Sequence, residues 1–391
     1  MTDSVTNKPF VAIACGGTGG HLFPGLAVAG ELKKRNCAVA LLISPKDVDQ
    51  QAVKSAQGFE IFTLPAVGLQ NRNYFSFAKS FWNSFRASRK IFKRRKPDAV
   101  LAMGGFTSAP PILAARKFGA KIFLHESNTI PGRANRFLSR FVDEAFVGFP
   151  ESATRLKARK ISVTGTPVRS QFQPRDAAEC RTALGLEPNR PTILVVGGSQ
   201  GASGLNEMIS SALPLLAGKN WQWLHLTGAN DFEKVKQTYA ARGIKAVVKP
   251  FLVEMDMALG VATVSVSRSG ASSLAEIAAM RLPSLLVPYP TAADNHQFIN
   301  ASAFGKTGAA KLLEQKNSTP EKVAALLCEL IEDLAVREKI QSALAQWHVP
   351  KAAEQIAEII LKAIAQPEKT AQSKSKKCGC GHAHGSAKHA H

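Results

Sequence analysis

FVAIACGGTGGHLFPG, residues 10–25, runs an apolar strand-like stretch into four glycines, a threonine and a histidine, and then into a helix-period segment. Glycines at that density let backbone N–H groups approach an anion closely. The helix that follows points its positive end at the same place. The first expectation is therefore a phosphate site. The order strand, glycine loop, helix also sets the fold class, because it recurs along the chain.

AVALLIS (38–44), DAVLAM (98–103) before GGFTSAPP, and KIFLHE (121–126) continue the alternation. That is βαβα order, which implies parallel sheets with helices on both faces. The pattern pauses in GTPVRSQFQP (165–174) and restarts in TILVVGGSQGASGLNEMI (192–209), followed by WQWLHLTG, AVVKPF, VATVSVS and PSLLVPYP. Two Rossmann-like halves with a hinge around 165–173 follow, and ligands on such sheets collect at the carboxyl ends of the strands. Two facing halves make an interdomain cleft. The expected division is an N-terminal domain over 8–168, a C-terminal domain over 169–345, and a helix over 346–365 packing back across the hinge. A tail over 366–391 has almost no large apolar residue and is expected to be disordered.

The chain has 391 residues, 45% of them hydrophobic, and a formal charge of +21. Its length suits two domains. Its charge suits nucleic acid, an anionic membrane surface or a polyanionic substrate. The opening MTDSVTNKPF lacks the apolar core of a signal peptide, so none is expected, and no apolar run is long enough to cross a bilayer. Cys15, Cys37, Cys180 and Cys328 are scattered, which suits reduced thiols better than a disulfide framework. The common nucleotide motifs fail. Gly17-Thr18-Gly19 begins G-x-G-x-x-G but ends on Leu22, and Gly305-Lys306-Thr307 ends a P-loop whose upstream glycine is Asn300. Asp47 and Asp49 read as helix-start residues rather than a metal clamp. No metal site is expected, so a leaving diphosphate falls to helix N-termini, hydroxyls and arginine.

GGTGGHLFPGLAVA (16–29), GGFTSAP (104–110), HESNTIPGRANR (125–136), GTPVR (165–169), VGGSQGA (196–202), SRSGASSLAEI (267–277), and PSLLVPYP followed by DNHQFINA (294–301) stand in one order along residues 10–315. In this the chain resembles the MurG family of bacterial glycosyltransferases, which carry N-acetylglucosamine from UDP-N-acetylglucosamine to lipid I to give lipid II. It departs from the family pattern at Ser127 (usually Gln), at Thr166 (usually Asn) and in GFTSAP (usually GYVSGP). The resemblance implies a GT-B fold, two Rossmann-like domains facing across a cleft, with the donor held mostly by the C-terminal half and no cofactor. Ser199 would touch the donor phosphates and Arg169 would neutralise the diphosphate. Ala271, Ser272, Ser273, Leu274, Ala275 and Glu276 form a loop that presents N–H groups to phosphate, with Glu276 accepting from the ribose hydroxyls. Leu252 would hold uracil through its backbone, and Gln297 and Asn128 would read the sugar. Thr18, Gly19 and Gly20 would line the opposite wall and help receive the acceptor's diphosphate. Each side chain also has a plainer role: Glu276 a solvated helix residue, Arg169 the partner of some carboxylate, Asn128 a turn residue.

The family reaction inverts the anomeric carbon, so a base must take the proton of the attacking sugar hydroxyl. His21 is the leading candidate because its pKa class suits proton removal near neutral pH and a nearby helix end favours its neutral form. It could instead position the acceptor diphosphate. Glu126 is the runner-up, with a structural carboxylate as its plainer reading. The alternatives to this activity are another UDP-sugar transferase acting on a lipid, a UDP-N-acetylglucosamine epimerase, and a non-catalytic scaffold for cell-wall assembly.

Residues 61–97 hold nine basic residues and no acidic one, and Tyr74, Ala78, Phe81, Phe85 and Phe92 fall there at helical spacing with Phe77 and Trp82 close by. An amphipathic helix with a basic face suits an anionic membrane surface, at ~1 kcal/mol per basic residue near it. No nucleic-acid recognition motif accompanies the charge. The expected setting is peripheral, on the cytoplasmic face of the inner membrane, with cell-wall assembly proteins as further partners. Cys378, Cys380, His382, His384, His389 and His391 in the tail match no closed zinc site.

Overall fold

The computed structural model describes residues 8–53, 58–66, 74–198 and 201–366. The Cys/His tail and Ser199 lie outside them.

The first sheet holds seven strands: β1 (Phe10–Ala14), β2 (Ala38–Ile43), β3 (Glu60–Thr63), β4 (Ala99–Ala102), β5 (Lys121–Glu126), β6 (Glu144–Val147) and β7 (Lys160–Val163). Their spatial order is β3-β2-β1-β4-β5-β6-β7 and every pairing is parallel. The second sheet holds β8 (Thr192–Val196), β9 (Gln222–Leu226), β10 (Ala246–Lys249), β11 (Val264–Ser267), β12 (Ser284–Leu286) and β13 (Lys311–Leu312), ordered β10-β9-β8-β11-β12-β13 and also parallel. In each sheet the strand order reverses beside the first strand, between β1 and β4 and between β8 and β11. The four loops singled out in the sequence follow those four strands, so all of them sit at the topological switch points.

Strand FVAIA of β1 is buried along its whole length, as a parallel sheet covered on both faces requires. Its side chains divide with period two. Val11 and Ile13 join Leu41, Leu101 and Phe123 on one face; Ala12 and Ala14 join Leu42, Val100 and Leu124 on the other. The first face is covered by Leu22, Val28 and Leu32 of the first helix, Gly19–Lys34, and by Ile356, Ala357 and Ile360 of the last helix, Ala352–Ala365. A helix that follows the second sheet in the chain is thus part of the core of the N-terminal sheet. The first helix begins at Gly19, within the glycine-rich stretch itself. Thr18 stands in extended conformation before it and accepts from the N–H groups of His21 and Leu22, which places His21 inside the first helical turn.

The two sheets are joined at a hinge. Gly165 has φ +75°, and a Cβ there would stand 2.7 Å from the Val349 side chain, so no larger residue fits the crossing. Beside it Trp347 stacks on Phe304 at 4.3 Å and lies 5.4 Å from Phe149 of the N-terminal half, while its indole N–H donates to Thr307 Oγ1 at 2.8 Å.

Replacing Ile356 with Ala removes a fully buried side chain from a sheet far from it in sequence. A loss of about 2–5 kcal/mol is expected, read as a lower urea midpoint at unchanged slope.

Candidate active site

The two sheets face each other across a cavity of about 280 Å³. One wall is Thr18, Gly19, Gly20 and Phe23 at the start of the first helix. The other is Gly270, Ala271, Ser272, Ser273 and Glu276 at the start of helix Ala271–Ala279, with Leu252 and its neighbours Phe251 and Val253 on the segment after β10, and Arg169 comes in from the hinge. The walls touch where Ser272 Oγ donates to the Gly20 carbonyl at 2.8 Å. Both helices thus direct their N-termini, where the first N–H groups have no intrahelical acceptor, into the same space.

Of the predicted loop, Ala271 to Ser273 present such N–H groups, but Leu274 and Ala275 do not. The Leu274 N–H bonds the Gly270 carbonyl at 3.0 Å and Ala275 lies within the helix, where N–H groups are already paired. Both residues instead line a small cavity at the hinge beside Phe149 and Trp347. The Gly17 N–H is spent too: it donates to Asp49 Oδ2 at 2.6 Å, an oxygen that also accepts from the Ser44 N–H at 3.0 Å and hydroxyl at 2.5 Å. Asp49 stands in the first turn of helix Asp47–Val53, as its position after β2 suggests, but it also braces the first glycine loop. Nothing local in the sequence announces that contact with a residue 32 positions away.

Arg169 is held in an unusual way. Its guanidinium carbon lies 4.2 Å from the Phe23 ring centroid and 4.8 Å from that of Phe172. Its one ion pair, Nη2 to Glu276 Oε1, spans 3.7 Å, too long for a hydrogen bond, and its buried Nε has no partner among the described residues. Burial lowers the Arg169 pKa, opposed by Glu276. Burial also pushes the Glu276 carboxyl up to about 7, with Arg169 pulling it back. The two groups share one dry wall with an ion pair too loose to satisfy either.

His21 lies outside this wall, between the first and second glycine loops. A Cβ on Gly104 would meet His21 Nε2 at 3.0 Å and one on Gly105 would meet Cε1 at 3.0 Å, and the two have φ +111° and +77°, so the GG of GGFTSAP answers both a left-handed backbone and the close approach of the imidazole. The Thr18 hydroxyl is 3.1 Å from Nδ1. Burial pushes the His21 pKa down to about 4, against the pull of Asp49 and with Lys46 and His296 adding to it. Lys46 reaches over the loop, donating to the Gly17 carbonyl at 3.0 Å above the Phe106 ring.

Glu126, the second candidate base, is fully engaged. Oε1 accepts from the Asn128 N–H at 2.9 Å and side-chain amide at 3.0 Å; Oε2 accepts from the Gly132 N–H at 3.0 Å and Asn135 Nδ2 at 2.8 Å. Both oxygens are buried in a turn-closing knot, the plainer of its two readings. Asn128 is committed to the same knot, and its Oδ1 accepts from Asn300 Nδ2 at 3.1 Å. Asn300, fully buried, uses its whole amide: Oδ1 accepts from the Thr129 N–H at 3.0 Å and hydroxyl at 2.8 Å, and Nδ2 also donates to the Ser269 carbonyl at 3.2 Å. This residue ties the two halves together. In the sequence it stands out only as the residue that breaks a P-loop and as a member of DNHQFINA. Gln297 lies off the cavity wall, and its Oε1 accepts from the Ser269 and Tyr289 N–H groups at 3.3 and 3.0 Å. Ion pairs from Arg136 and Arg133 to Asp294, at 2.8 and 3.6 Å, close the same seam.

Comparison with known proteins bears on both halves. Residues 11–147 match the glycosyltransferase family 28 N-terminal domain and residues 192–356 the glycosyltransferase family 28 C-terminal domain. An Anaeromyxobacter protein named UDP-N-acetylglucosamine–N-acetylmuramyl-(pentapeptide) pyrophosphoryl-undecaprenol N-acetylglucosamine transferase is 36% identical over 354 residues, covering 89% of this chain and 91% of its own. The crystal structure of Acinetobacter baumannii MurG superposes with a TM-score of 0.71 at 28% identity, covering 91% of this chain and 99% of its own. A UDP-GlcNAc 2-epimerase from Neisseria meningitidis, with a TM-score of 0.67 at 17% identity, shares the fold.

The raised Glu276 pKa has a sign for stability. The neutral form is favoured in the folded state, so its contribution is complete below about 4.5 and lost as pH rises through about 7. Glu276→Gln, which cannot ionise, is expected to unfold at a higher temperature than the parent at pH 8 and at nearly the same temperature at pH 4.5. Parallel melting curves at the two pH values check it.

Proposed function

The chain belongs to glycosyltransferase family 28, and from that premise we propose that it transfers N-acetylglucosamine from UDP-N-acetylglucosamine to lipid I, the undecaprenyl-diphospho-N-acetylmuramyl-peptide, giving lipid II and UDP. The observation that carries this reading is the cavity between the sheets, where two helix N-termini, Arg169 and Glu276 converge on one space. Uracil rests on the segment around Leu252, and Glu276 accepts from the ribose. The diphosphate meets the Ala271–Ser273 amides and Arg169, whose hydrogen-bonding edge is otherwise unsatisfied. Gln297, with its carbonyl end occupied, offers the sugar its amide donors.

The chemistry is an in-line displacement. The acceptor hydroxyl attacks the anomeric carbon opposite the departing UDP, the bond to the β-phosphate oxygen breaks, and the charge that develops on UDP is met by amide dipoles and Arg169. His21 takes the hydroxyl proton. Its low pKa keeps it neutral at working pH; the Thr18 hydroxyl pairs with Nδ1 at 3.1 Å, and in the tautomer that carries its proton on Nδ1 the base is Nε2. An acceptor diphosphate arriving at Gly19 and Gly20 brings negative charge beside the ring and raises its basicity for the step.

Helix Tyr74–Arg94 gives the enzyme a lipid-facing surface in this reading. Its inner face is Ser80, Ser84, Phe85, Ser88 and Phe92, which keeps Phe85 and Phe92 of the stripe the spacing suggested and leaves Tyr74 and Ala78 exposed. Tyr74, Phe75 and Trp82 are 64%, 93% and 57% exposed, and Lys79, Arg86 and Lys90 are exposed on the same helix. The helix is amphipathic toward the outside. Exposed aromatics with flanking cations suit the interface of an anionic bilayer, which is where an undecaprenyl acceptor resides.

Labelled UDP-N-acetylglucosamine incubated with a short-chain lipid I analogue is expected to yield the disaccharide product, equally with and without EDTA, and His21→Ala to lower kcat at least a hundredfold. Absence of product from active protein overturns the transfer, and conversion of the donor to its 2-epimer in its place favours the epimerase. For the surface, the Phe75→Ser, Trp82→Ser double variant is expected to lose most sedimentation with phosphatidylglycerol vesicles while keeping turnover on a water-soluble acceptor.

A further inference from the structure

We infer that Phe23 is a positioning residue for Arg169, and that it makes the grip on the donor diphosphate depend on the N-terminal half being seated against the C-terminal one. The inference rests on the reading of Arg169 as the diphosphate's cation. Phe23 belongs to the first helix, Gly19–Lys34, and lines the same cavity as Arg169 and Glu276. Its ring faces the Arg169 guanidinium at 4.2 Å, with Phe172, next along the hinge segment, at 4.8 Å.

A planar guanidinium between two rings can slide and swing little, and its N–H edge is left to point outward in the plane. That restraint matters because the other one seen among the described residues, the ion pair to Glu276, is loose. Its guanidinium makes no hydrogen bond among the described residues, its Nε is buried without a partner, and the Glu276 carboxylate is 3.7 Å away. Phe172 travels with Arg169, three residues along the same segment, its N–H bonded to the Arg169 carbonyl at 3.1 Å. Phe23 alone comes from the opposite half. When the halves separate, the cation keeps one wall and loses the other. The pre-organised charge then exists only in the closed arrangement that Ser272 and Gly20, and Asn300 with Thr129, hold together. The donor's phosphates are thereby recognised by both halves, although the charge belongs to one.

The test uses the full chain and two probes, UDP and uridine, measured by equilibrium binding in Phe23→Leu, Phe23→Met, Phe23→Tyr, Arg169→Ala and the Phe23→Leu, Arg169→Ala pair. Both aliphatic variants are expected to weaken UDP about tenfold and uridine less than twofold. Phe23→Tyr, which keeps the π face, should bind UDP within about twofold of the parent, and kcat/KM for the donor should follow the UDP affinities. On the Arg169→Ala background the Phe23→Leu change should cost nothing further. Equal losses for UDP and uridine, or additive losses in the pair, would reduce Phe23 to packing and overturn the inference. If one aliphatic variant fails to fold, the other decides. An Arg169→Ala variant that binds UDP normally would instead overturn the reading of Arg169 itself, a result separable from a Phe23 failure on an intact Arg169 effect.

Discussion

The polarity of a parallel sheet governs this molecule. When every strand runs the same way, every carboxyl end and every following helix N-terminus emerges at one edge. One sheet yields a rim of amide dipoles; two, turned rim to rim, enclose a space whose backbone is electropositive without any side chain. The glycine loops after β1 and β4 and the hydroxyl-bearing loop after β11 are what that rim looks like in sequence, since only small residues allow strand, loop and helix to turn at such close quarters. Even the GG of the second loop follows, because both residues have positive φ and the His21 ring leaves a side chain little room.

Such an enclosure needs its two halves held in register, and that task takes polar residues one would otherwise assign to chemistry. Glu126, Asn128 and Asn300 form a continuous run of satisfied hydrogen bonds from a turn of the first half to the Ser269 carbonyl of the second. A buried carboxylate with four donors around it is a poor base, because its lone pairs are occupied, and a good anchor, because leaving any of those donors unpaired is costly. Helix Ala352–Ala365 adds an apolar tie: it follows the second sheet in the chain, yet buries Ile356 and Ile360 against the first.

What could be read from the sequence was what is local. Strand alternation, the glycine loops, the hinge and the cleft wall from Ala271 to Glu276 are set by neighbours a few residues apart, and residue type reports them well. Asp49 bracing Gly17, Asn300 meeting Thr129 and Phe23 facing Arg169 join residues 32, 171 and 146 positions apart (49 − 17, 300 − 129, 169 − 23). No spacing rule reaches that far. Leu274 and Ala275 were misjudged for the opposite reason: a motif marks a contiguous run, whereas a helix offers only its first turn. In the basic helix, spacing identified an amphipathic element and two inward residues, Phe85 and Phe92, but not the buried Ser80, Ser84 and Ser88 alongside them, which carry no hydrophobic signal.

The same burial acts in opposite senses on the cleft's ionisable groups, and the outcome favours an anion. It drives His21 toward the neutral imidazole and Glu276 toward the neutral acid, since removing water disfavours whichever form is charged. Arg169 is lowered too, but from so high a starting value that it stays protonated. Near neutral pH the described wall therefore holds one firm positive charge, a carboxyl poised between its two forms, and two helix N-termini. A diphosphate entering this space finds little fixed negative charge to repel it and a guanidinium that no protein group has hydrogen-bonded. Had Glu276 closed on Arg169 at hydrogen-bond distance, the cation would be quenched; at 3.7 Å it is steadied electrostatically while its donors remain open. The loose ion pair, which looks like imperfect packing, is the condition under which a buried arginine stays available.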